Sequence, residues 1–180
     1  MSEAEVHVAR LLRALGEDIT RDGLRETPHR YAKAMAELTS GMREDPATIL
    51  KTFPLEGDGG IVCVRSIPFS SLCEHHLLPF VGEASVAYIP GRSIVGLSKI
   101  PRLVHCYARR LQVQERLACQ VADAMERYLK PKGVAVVIRG EHSCMRMRGV
   151  RSTGDMVTSE MRGVFRGDPS ARAEVMGVMV

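Results

Sequence analysis

Two helices are predicted at the start of the chain from the spacing of its apolar residues. Within residues 3–15 the apolar positions recur near the 3.6-residue period of a helix, and Gly16 follows as a natural stop. Thr27 followed by Pro28 is typical of an N-cap with proline in the first turn, and an apolar face then continues until Gly41. The first part of the chain is therefore expected to be helical.

Beyond a Gly-rich link at residues 57–60, apolar and polar positions alternate with the period of half-buried strands. Two strands are predicted first, then two helices, then two more strands and a short C-terminal helix, at residues 61–69, 80–90, 99–110, 112–129, 133–144, 156–165 and 171–179. The third strand is expected to continue towards Arg151. This order predicts an α+β fold with two helices between two strand pairs.

The length and composition favour one globular domain. A chain of 180 residues, 45% hydrophobic and 26% charged, can bury a core of its own, so we expect a single domain over residues 1–180. Within it, residues 1–56 form a helical N-terminal part and residues 57–180 the mainly β part. Aromatic residues make up only 4%, with no Trp, which argues against a surface of stacked rings.

The charge, the N-terminus and the cysteines narrow the class of protein. A net charge of +4 suits an anionic ligand, but no nucleic-acid recognition motif accompanies it, so no nucleic acid is expected as partner. The acidic N-terminus has no signal-length apolar run, and no stretch is long enough to span a membrane, so a cytoplasmic protein is expected. Five cysteines, an odd number, make a disulfide framework improbable and leave thiols for a metal or for catalysis.

Two short segments, far apart in the chain, offer metal ligands. Cys73 and His76 stand three residues apart and can face one cation from a tight turn. His142 and Cys144 stand two apart, and on an extended strand both would project to the same side. Zinc prefers thiolate and imidazole, and a catalytic zinc site uses three protein ligands. Cys73, His76 and Cys144 make such a set, which leaves His75 and His142 as free imidazoles suited to proton transfer.

Two simpler interpretations compete with a catalytic metal. Lone cysteines and histidines are more often small core residues and satisfied polar groups. A structural zinc would need a fourth ligand, which His75 or His142 could provide, so the spacing alone leaves this alternative open.

Six motifs in order connect the chain to a known family. The segments are CEHHLLPF, VAYIP, GLSK, ARRLQVQERL, GVAVVI and HSCMRMRGVR, flanked by GLRETPHRYAKAMAEL before them and VTSEMRGVF after them. With this set the sequence resembles the type I GTP cyclohydrolase family over most of its length. The resemblance implies the T-fold, a four-stranded antiparallel sheet with two helices between its middle strands, and assembly into a toroidal homodecamer.

The resemblance also implies roles for individual residues. It assigns Cys73, His76 and Cys144 to Zn²⁺ and makes His75 and His142 the acid–base histidines. Glu115 matches the carboxylate that pairs with the N–H edge of guanine, and Gln114 lies beside it in the same pocket. A carboxylate that accepts two N–H groups makes a charge-assisted bidentate contact that adenine cannot reproduce.

The triphosphate of GTP requires basic partners. Ser98 and Lys99 of GLSK, Arg102 one turn later and Arg148 match the triphosphate-binding residues of the family, while Arg30 matches a phosphate contact from another subunit. Arginine holds phosphate oxygens in a bidentate manner, which suits this role.

The implied reaction is the zinc-dependent hydrolysis of GTP at C8. Formate is released, and rearrangement of the ribose gives 7,8-dihydroneopterin triphosphate, the first step of pterin and folate-type biosynthesis. Two alternatives stay open: an enzyme of the same fold with another substrate or product, and a non-catalytic zinc-stabilised binding module. The complete set of His75, His142, Glu115 and Lys99 argues against the second.

Three features depart from the family pattern. Glu83 stands where Lys is usual, Ser85 stands where His or Thr is usual, and the C-terminal tail ARAEVMGVMV differs from the common ending. None of them belongs to the expected zinc ligands. The changed tail puts the usual C-terminal packing in question.

Overall fold

The computed structural model describes residues 1–179 and separates them into two compact units. The first is Met1–Ser40, and the second begins at Gly41. The sequence placed its internal boundary later, at residue 56, because the Gly-rich link was the strongest break in composition. Within the described residues, no helix combines the length and the apolar character needed to cross a bilayer.

The first unit contains three helices, α1 (Glu3–Ala14), α2 (Asp22–Arg25) and α3 (Thr27–Leu38). Ser2 and Glu5 form a reciprocal capping box at the start of α1, which satisfies two backbone N–H groups that have no partner within the helix. The two predicted helices are confirmed. The second one ends at Leu38, earlier than Gly41, because the chain tightens into a 3₁₀ turn at Ser40–Arg43.

The second unit contains the sheets and five helices. Its strands are β1 (Thr52–Pro54), β2 (Val62–Cys73), β3 (Pro79–Ile89), β4 (Ser93–Val95), β5 (Leu111–Gln112), β6 (Gly133–His142) and β7 (Met156–Gly163). Its helices are α4 (Lys99–Ala108), α5 (Gln114–Leu129), α6 (Ser143–Arg146), α7 (Val164–Gly167) and α8 (Pro169–Met179). The predicted α+β class is confirmed.

The main sheet has five strands in the order β5-β2-β3-β6-β7. Strands β2, β3, β6 and β7 are antiparallel neighbours, and α4 and α5 lie between β3 and β6 in the chain. The sheet differs from the predicted four-stranded one in its fifth strand, β5, which pairs parallel to the end of β2 through Leu72↔Leu111 and Cys73↔Gln112. A separate two-stranded sheet joins β1 to β4.

The larger core lies between the main sheet and helices α4 and α5. Alternate residues of β3 and β6 point to these helices, as the period of two requires, and Val86, Tyr88 and Val136 are almost fully buried there. Leu117, Val121 and Met125, spaced by four residues along α5, form a fully buried apolar stripe. The stripe therefore identifies the face on which α5 packs.

A smaller core covers part of the opposite face. Ala87 and Ala135 pack there against Phe165, Val175 and Met179 of the C-terminal helices. The divergent tail therefore has a packing role in this chain. Ser85, the second departure from the family pattern, donates its hydroxyl to the carbonyl oxygen of Met179 at 3.4 Å.

The third predicted strand ends sooner than expected, at His142. Residues Ser143–Arg146 form the helical turn α6 instead of continuing in extended form towards Arg151. The prediction that His142 and Cys144 project together from one strand is therefore wrong. The helical turn redirects the chain directly after the end of the paired strand, and Cys144 reaches the site from that turn.

Candidate metal centre and nucleotide cavity

Three sulfur and nitrogen donors meet at the end of β2. The side chains of Cys73, His76 and Cys144 each offer one donor atom, and all three atoms lie within 4.8 Å of one another. Among residues 1–179 this is the one such group of three His, Cys, Asp or Glu side chains. Ligands of a tetrahedral zinc ion lie roughly 3.3–3.8 Å apart, so small side-chain adjustments would bring these donors to bonding distance.

A tight turn between β2 and β3 brings two of these ligands together. The backbone N–H of Cys73 donates to the carbonyl oxygen of Leu78 at 2.8 Å, and that of Leu77 donates to the carbonyl oxygen of Cys73 at 2.8 Å. Leu77 has a φ of +56°, in the left-handed region. The turn leaves Nδ1 of His76 3.8 Å from Sγ of Cys73.

The two cysteines affect each other. Burial raises the pKa of the Cys144 thiol, and the adjacent Cys73 raises it further. Two neighbouring thiolates repel each other, so a cation between them is what would favour their ionised forms. The donor set therefore fits a thiophilic divalent metal better than it fits an open pair of thiols.

His142 lies beside this cluster in a closely packed environment. Its ring stacks on Phe80 with a centroid distance of 4.5 Å and an angle of 5°, and its Nε2 lies 3.0 Å from Oε1 of Gln114. Burial lowers the pKa of His142, and the charge of Glu115 opposes that shift. His142 is thus held in one orientation and favoured in its neutral form.

His75 lies in a more open environment. It is exposed, its ring meets that of His76 edge to face at a centroid distance of 6.3 Å, and its Nε2 lies 3.8 Å from Oε1 of Glu74. The two histidines that the sequence singled out therefore differ: His142 is half-buried and tethered, and His75 faces solvent.

One cavity connects these groups. It has a volume of about 570 Å³ and is lined by Cys73, Glu74, His75, Gln112, Val113, Gln114, Glu115, Arg116, His142 and Cys144. Glu115 is exposed in the first turn of α5, where the helix dipole favours a negative charge. Gln114, the residue before it, is fully buried.

Sequence reasoning missed an ion pair at the rim of the cavity. Arg116 donates both terminal nitrogens to Glu74, with the Nη2–Oε1 distance at 2.8 Å, and this pairing lowers the pKa of the Glu74 carboxyl group. The pair joins the turn that carries the metal ligands to the start of α5. Both residues stand inside the motifs CEHH and QER, but nothing in either motif indicates that the two side chains meet.

Arg148, one of the predicted phosphate-binding residues, lies against a metal ligand. Its Nη1 is 3.3 Å from Nε2 of His76, and the residue is exposed. Arg30 lies in the first unit, exposed on α3, where it donates to the carbonyl oxygen of Gly23 at 3.3 Å and to Oγ1 of Thr27 at 3.2 Å.

The other predicted phosphate-binding residues lie elsewhere in the second unit. Lys99 and Arg102 line a different cavity of about 340 Å³, together with His105 and Arg109, and Ser98 is exposed just before Lys99. None of these residues lines the cavity that holds the metal ligands.

The direction of α4 explains this separation. The chain leaves α4 to form β5, where Leu111 pairs with Leu72 next to the metal ligand Cys73. Lys99 begins α4, a helix of 10 residues, and therefore lies at the opposite end, roughly 15 Å further away at 1.5 Å per residue.

Glu83, the remaining departure from the family pattern, lies away from the metal ligands. It is exposed on β3 and lines a cavity of about 540 Å³ together with Arg139, Glu141 and Asp155.

Fold and site together define a class, the α+β proteins with a candidate metal centre beside a cavity. Comparison with known proteins defines the family. The sequence pattern of the family described as GTP cyclohydrolase I matches residues 4–180, and the chain belongs to that family.

Three relatives show how far the likeness extends, and each is named GTP cyclohydrolase 1. The protein of Rhodopirellula baltica is 51% identical over 176 residues, which is 97% of this chain and 77% of the relative. That of Deinococcus radiodurans is 52% identical over 170 residues, 93% and 79% of the two chains. That of Mycobacteroides abscessus is 51% identical over 182 residues, 99% and 89%.

Among solved structures, an archaeosine synthase QueF-Like in the apo form is 18% identical, with a TM-score of 0.44 over 59% of this chain and 96% of that one. This likeness is too weak to support a fold assignment.

Proposed function

We propose that this chain hydrolyses GTP at C8, releases formate and forms 7,8-dihydroneopterin triphosphate, and that its second unit is a T-fold. The observation that carries the proposal is that Cys73 and Cys144, two of the three clustered metal donors, line one cavity with His75, His142 and Glu115. A structural zinc site would use only one of His75 and His142 as its fourth ligand, and it would not need a carboxylate at the start of α5. Membership of the GTP cyclohydrolase I family supports the same reaction.

Cys73, His76 and Cys144 would hold Zn²⁺. Two thiolates and one imidazole are ligands that zinc prefers, and three protein ligands leave its fourth position open. When bound, zinc supplies a Lewis acid that makes water nucleophilic near neutral pH.

The two histidines would divide the proton transfers between them. His142 is held against Phe80 and its burial favours the neutral form, so it is suited to accept a proton at a fixed position. His75 is exposed, so it can exchange protons with solvent between steps. Opening of the imidazole ring and release of formate both need a proton delivered to nitrogen, and these two residues can supply it.

Glu115 would select guanine. Its carboxylate can accept from N1–H and from the 2-amino group, a pair of donors that adenine does not present. Glu115 lies in the first turn of α5, at the positive end of the helix dipole. The same cavity wall carries the buried Gln114, which ties this turn to the sheet.

We infer that a complete site is shared between copies of the chain. Ser98, Lys99 and Arg102 would bind the triphosphate with Arg148 and Arg30, yet Lys99 and Arg102 line a cavity remote from the metal donors. A neighbouring copy could supply these residues to the cavity of the first, which makes the protein a homo-oligomer. The decamer expected from the family is one such assembly.

Mixed oligomers test this sharing. Two variants, His75→Ala and Lys99→Met, should each lack activity while still binding zinc. When the two variants are co-expressed in equal amounts, about one quarter of shared sites would combine intact His75 from one copy with intact Lys99 from its neighbour. Activity should therefore return to about one quarter of the wild-type value. Activity that stays absent in the mixture would mean that each copy uses its own Lys99.

The reaction itself is tested by following two products at once. Zinc-loaded protein incubated with GTP should release formate and develop pterin fluorescence at matching rates. Formate without a pterin would indicate an enzyme of the same fold that stops earlier. Absence of both products with zinc bound would indicate a binding module and would overturn the proposal.

A further inference from the structure

The side-chain amide of Gln114 has an orientation that its neighbours determine. Its Nε2 lies 3.1 Å from the carbonyl oxygen of Ile138, 2.9 Å from that of Met156 and 3.3 Å from Oγ1 of Thr158. In the reversed orientation the amide oxygen would face two carbonyl oxygens, neither of which can donate a hydrogen bond to it. Nε2 therefore points to these acceptors, and Oε1 points to His142.

This orientation determines which nitrogen of His142 carries the proton. Oε1 of Gln114 lies 3.0 Å from Nε2 of His142, and a carbonyl oxygen can only accept a hydrogen bond. The proton must therefore be on Nε2. In a neutral imidazole the other nitrogen, Nδ1, then holds the free electron pair.

Nothing remains on the amide for a ligand. Gln114 is fully buried, its two hydrogens face the three acceptors, and its oxygen faces His142. Its neighbour Glu115 is exposed to the cavity. The two adjacent residues thus have different surroundings, although the family resemblance would put both in contact with GTP.

We propose that Gln114 is a positioning residue, which acts on the reaction by holding His142 with its proton on Nε2 and Nδ1 free to accept. The inference rests on the proposed function in one respect, that His142 transfers protons. Phe80, stacked on the ring of His142, restrains its plane, and Gln114 restrains rotation within that plane. With both restraints the accepting nitrogen has one position relative to the cavity.

Gly140 provides an independent way to disturb this arrangement. A Cβ atom built on Gly140 would overlap Oε1 of Gln114, and it would lie 3.4 Å from the amide carbon and 3.7 Å from Cζ of Phe69. Gly140→Ala therefore displaces the amide oxygen while removing none of the groups involved. Gln114→Met keeps the length of the side chain and removes all its hydrogen bonds.

The test is ¹⁵N magic-angle-spinning NMR of protein labelled with [¹⁵N]histidine, a method that suits large assemblies. The signals of His142 are identified by their absence in His142→Asn. In the wild type we expect one neutral form, with a protonated Nε2 and an unprotonated Nδ1. Gln114→Met and Gly140→Ala should both show the two neutral forms in exchange, because the restraint on the ring is lost.

Gln112→Met is the matched control. Gln112 is the other buried glutamine near the cavity, but it donates to the carbonyl oxygen of Tyr107 at 3.0 Å and to Oε1 of Gln120 at 2.7 Å. Loss of this amide removes a comparable set of hydrogen bonds and should leave the His142 spectrum as in the wild type.

Steady-state kinetics complete the test. In Gln114→Met and Gly140→Ala, kcat should fall by about 10- to 100-fold, the range for groups that orient a functional side chain, while KM for GTP should change within about threefold. A proton on Nδ1 of His142 in the wild type would overturn the proposal. A raised KM in Gln114→Met with an unchanged His142 spectrum would also overturn it, because that result would indicate direct contact between Gln114 and GTP. The spectrum is measured without turnover, so a failure of the proposed reaction would be seen separately, as absence of formate from the wild type.

Discussion

Gly82→Ala should destabilise the protein, because the two central strands approach each other closely at this residue. Gly82 pairs with Gly140 across β3 and β6, two residues from the Phe80↔His142 pair. A Cβ on Gly82 would overlap the carbonyl oxygen of Arg139 and lie 2.8 Å from the Cα of Gly140. Favourable carbon contacts are about 3.5–4.0 Å, so the strands would have to separate locally by roughly 1 Å.

The expected loss can be assembled from two contributions. Overpacking in a well-packed region costs about 1–3 kcal/mol, and weakening one ladder hydrogen bond adds about 1 kcal/mol. The free energy of unfolding should therefore fall by about 2–4 kcal/mol. With a urea m-value of about 2 kcal/mol/M, in the middle of the range for small proteins, the midpoint should fall by roughly 1–2 M.

Urea unfolding followed by circular dichroism measures this shift. The samples are compared at one protein concentration, because association of copies makes the apparent stability rise with the logarithm of protein concentration. Gly60→Ala is the control, since a Cβ on Gly60 meets nothing within 4 Å. The free energy of unfolding of this variant should either rise or stay within about 1 kcal/mol of the wild-type value. Equal midpoints for the two variants would refute the reasoning from close strand approach.

Three further changes test other parts of the structure. Glu115→Gln replaces an ionised acceptor by a neutral amide, so kcat/KM for GTP, measured by formate release, should fall at least about 100-fold; a change within twofold would contradict its role in guanine binding. Arg162→Met leaves the carboxylates of Asp123 and Glu160 without their shared cation, so the free energy of unfolding in urea should fall by about 1–3 kcal/mol. The control Arg166→Met, at an exposed residue, should not lower it. Equal effects of the two changes would contradict a stabilising role of the Arg162 ion pairs. Cys106 is fully buried and burial raises its pKa, so iodoacetamide should modify it only after unfolding, as judged by mass spectrometry of its peptide; rapid modification of the folded protein would disprove this.

The order of helices and strands could be predicted from the sequence because local periodicity carries it. The limits of the elements could not, because they depend on neighbours. Gln112 was expected to begin a helix and Leu111 to lie between two helices, yet both residues extend beside the end of β2 and form the fifth strand. Two residues are too short for any alternation to be recognised, and only tertiary contact defines them as a strand.

The metal donors were also predicted from the sequence, since Cys73 and His76 are close in the chain and their spacing is informative. Cys144 was found for the wrong reason, because it projects from a helical turn and not from the strand that ends at His142. The contacts of Gln114 with β6 and β7 could not be predicted, because they join residues 24 to 44 positions apart. Hydrogen bonds over such separations leave no trace in local patterns.

The separation of Lys99 and Arg102 from the metal donors is a third feature that motifs could not predict. Motifs give residue types and their order, but the direction of α4 decides at which end of the sheet its first turn lies. The family resemblance implied a contact from another subunit for Arg30 alone, and the three-dimensional arrangement extends that question to Lys99 and Arg102.

The central claim is that one zinc ion on Cys73, His76 and Cys144 is required for turnover of GTP. The most direct test measures zinc per chain and formate release on the same samples: as isolated, after chelation, after zinc is restored, and in Cys144→Ala. The expected result is one zinc per chain in the active samples. Activity is lost on chelation and in Cys144→Ala, and it returns only when the wild type regains zinc. Formate release from the metal-free wild type, or full zinc binding and turnover in Cys144→Ala, would contradict it.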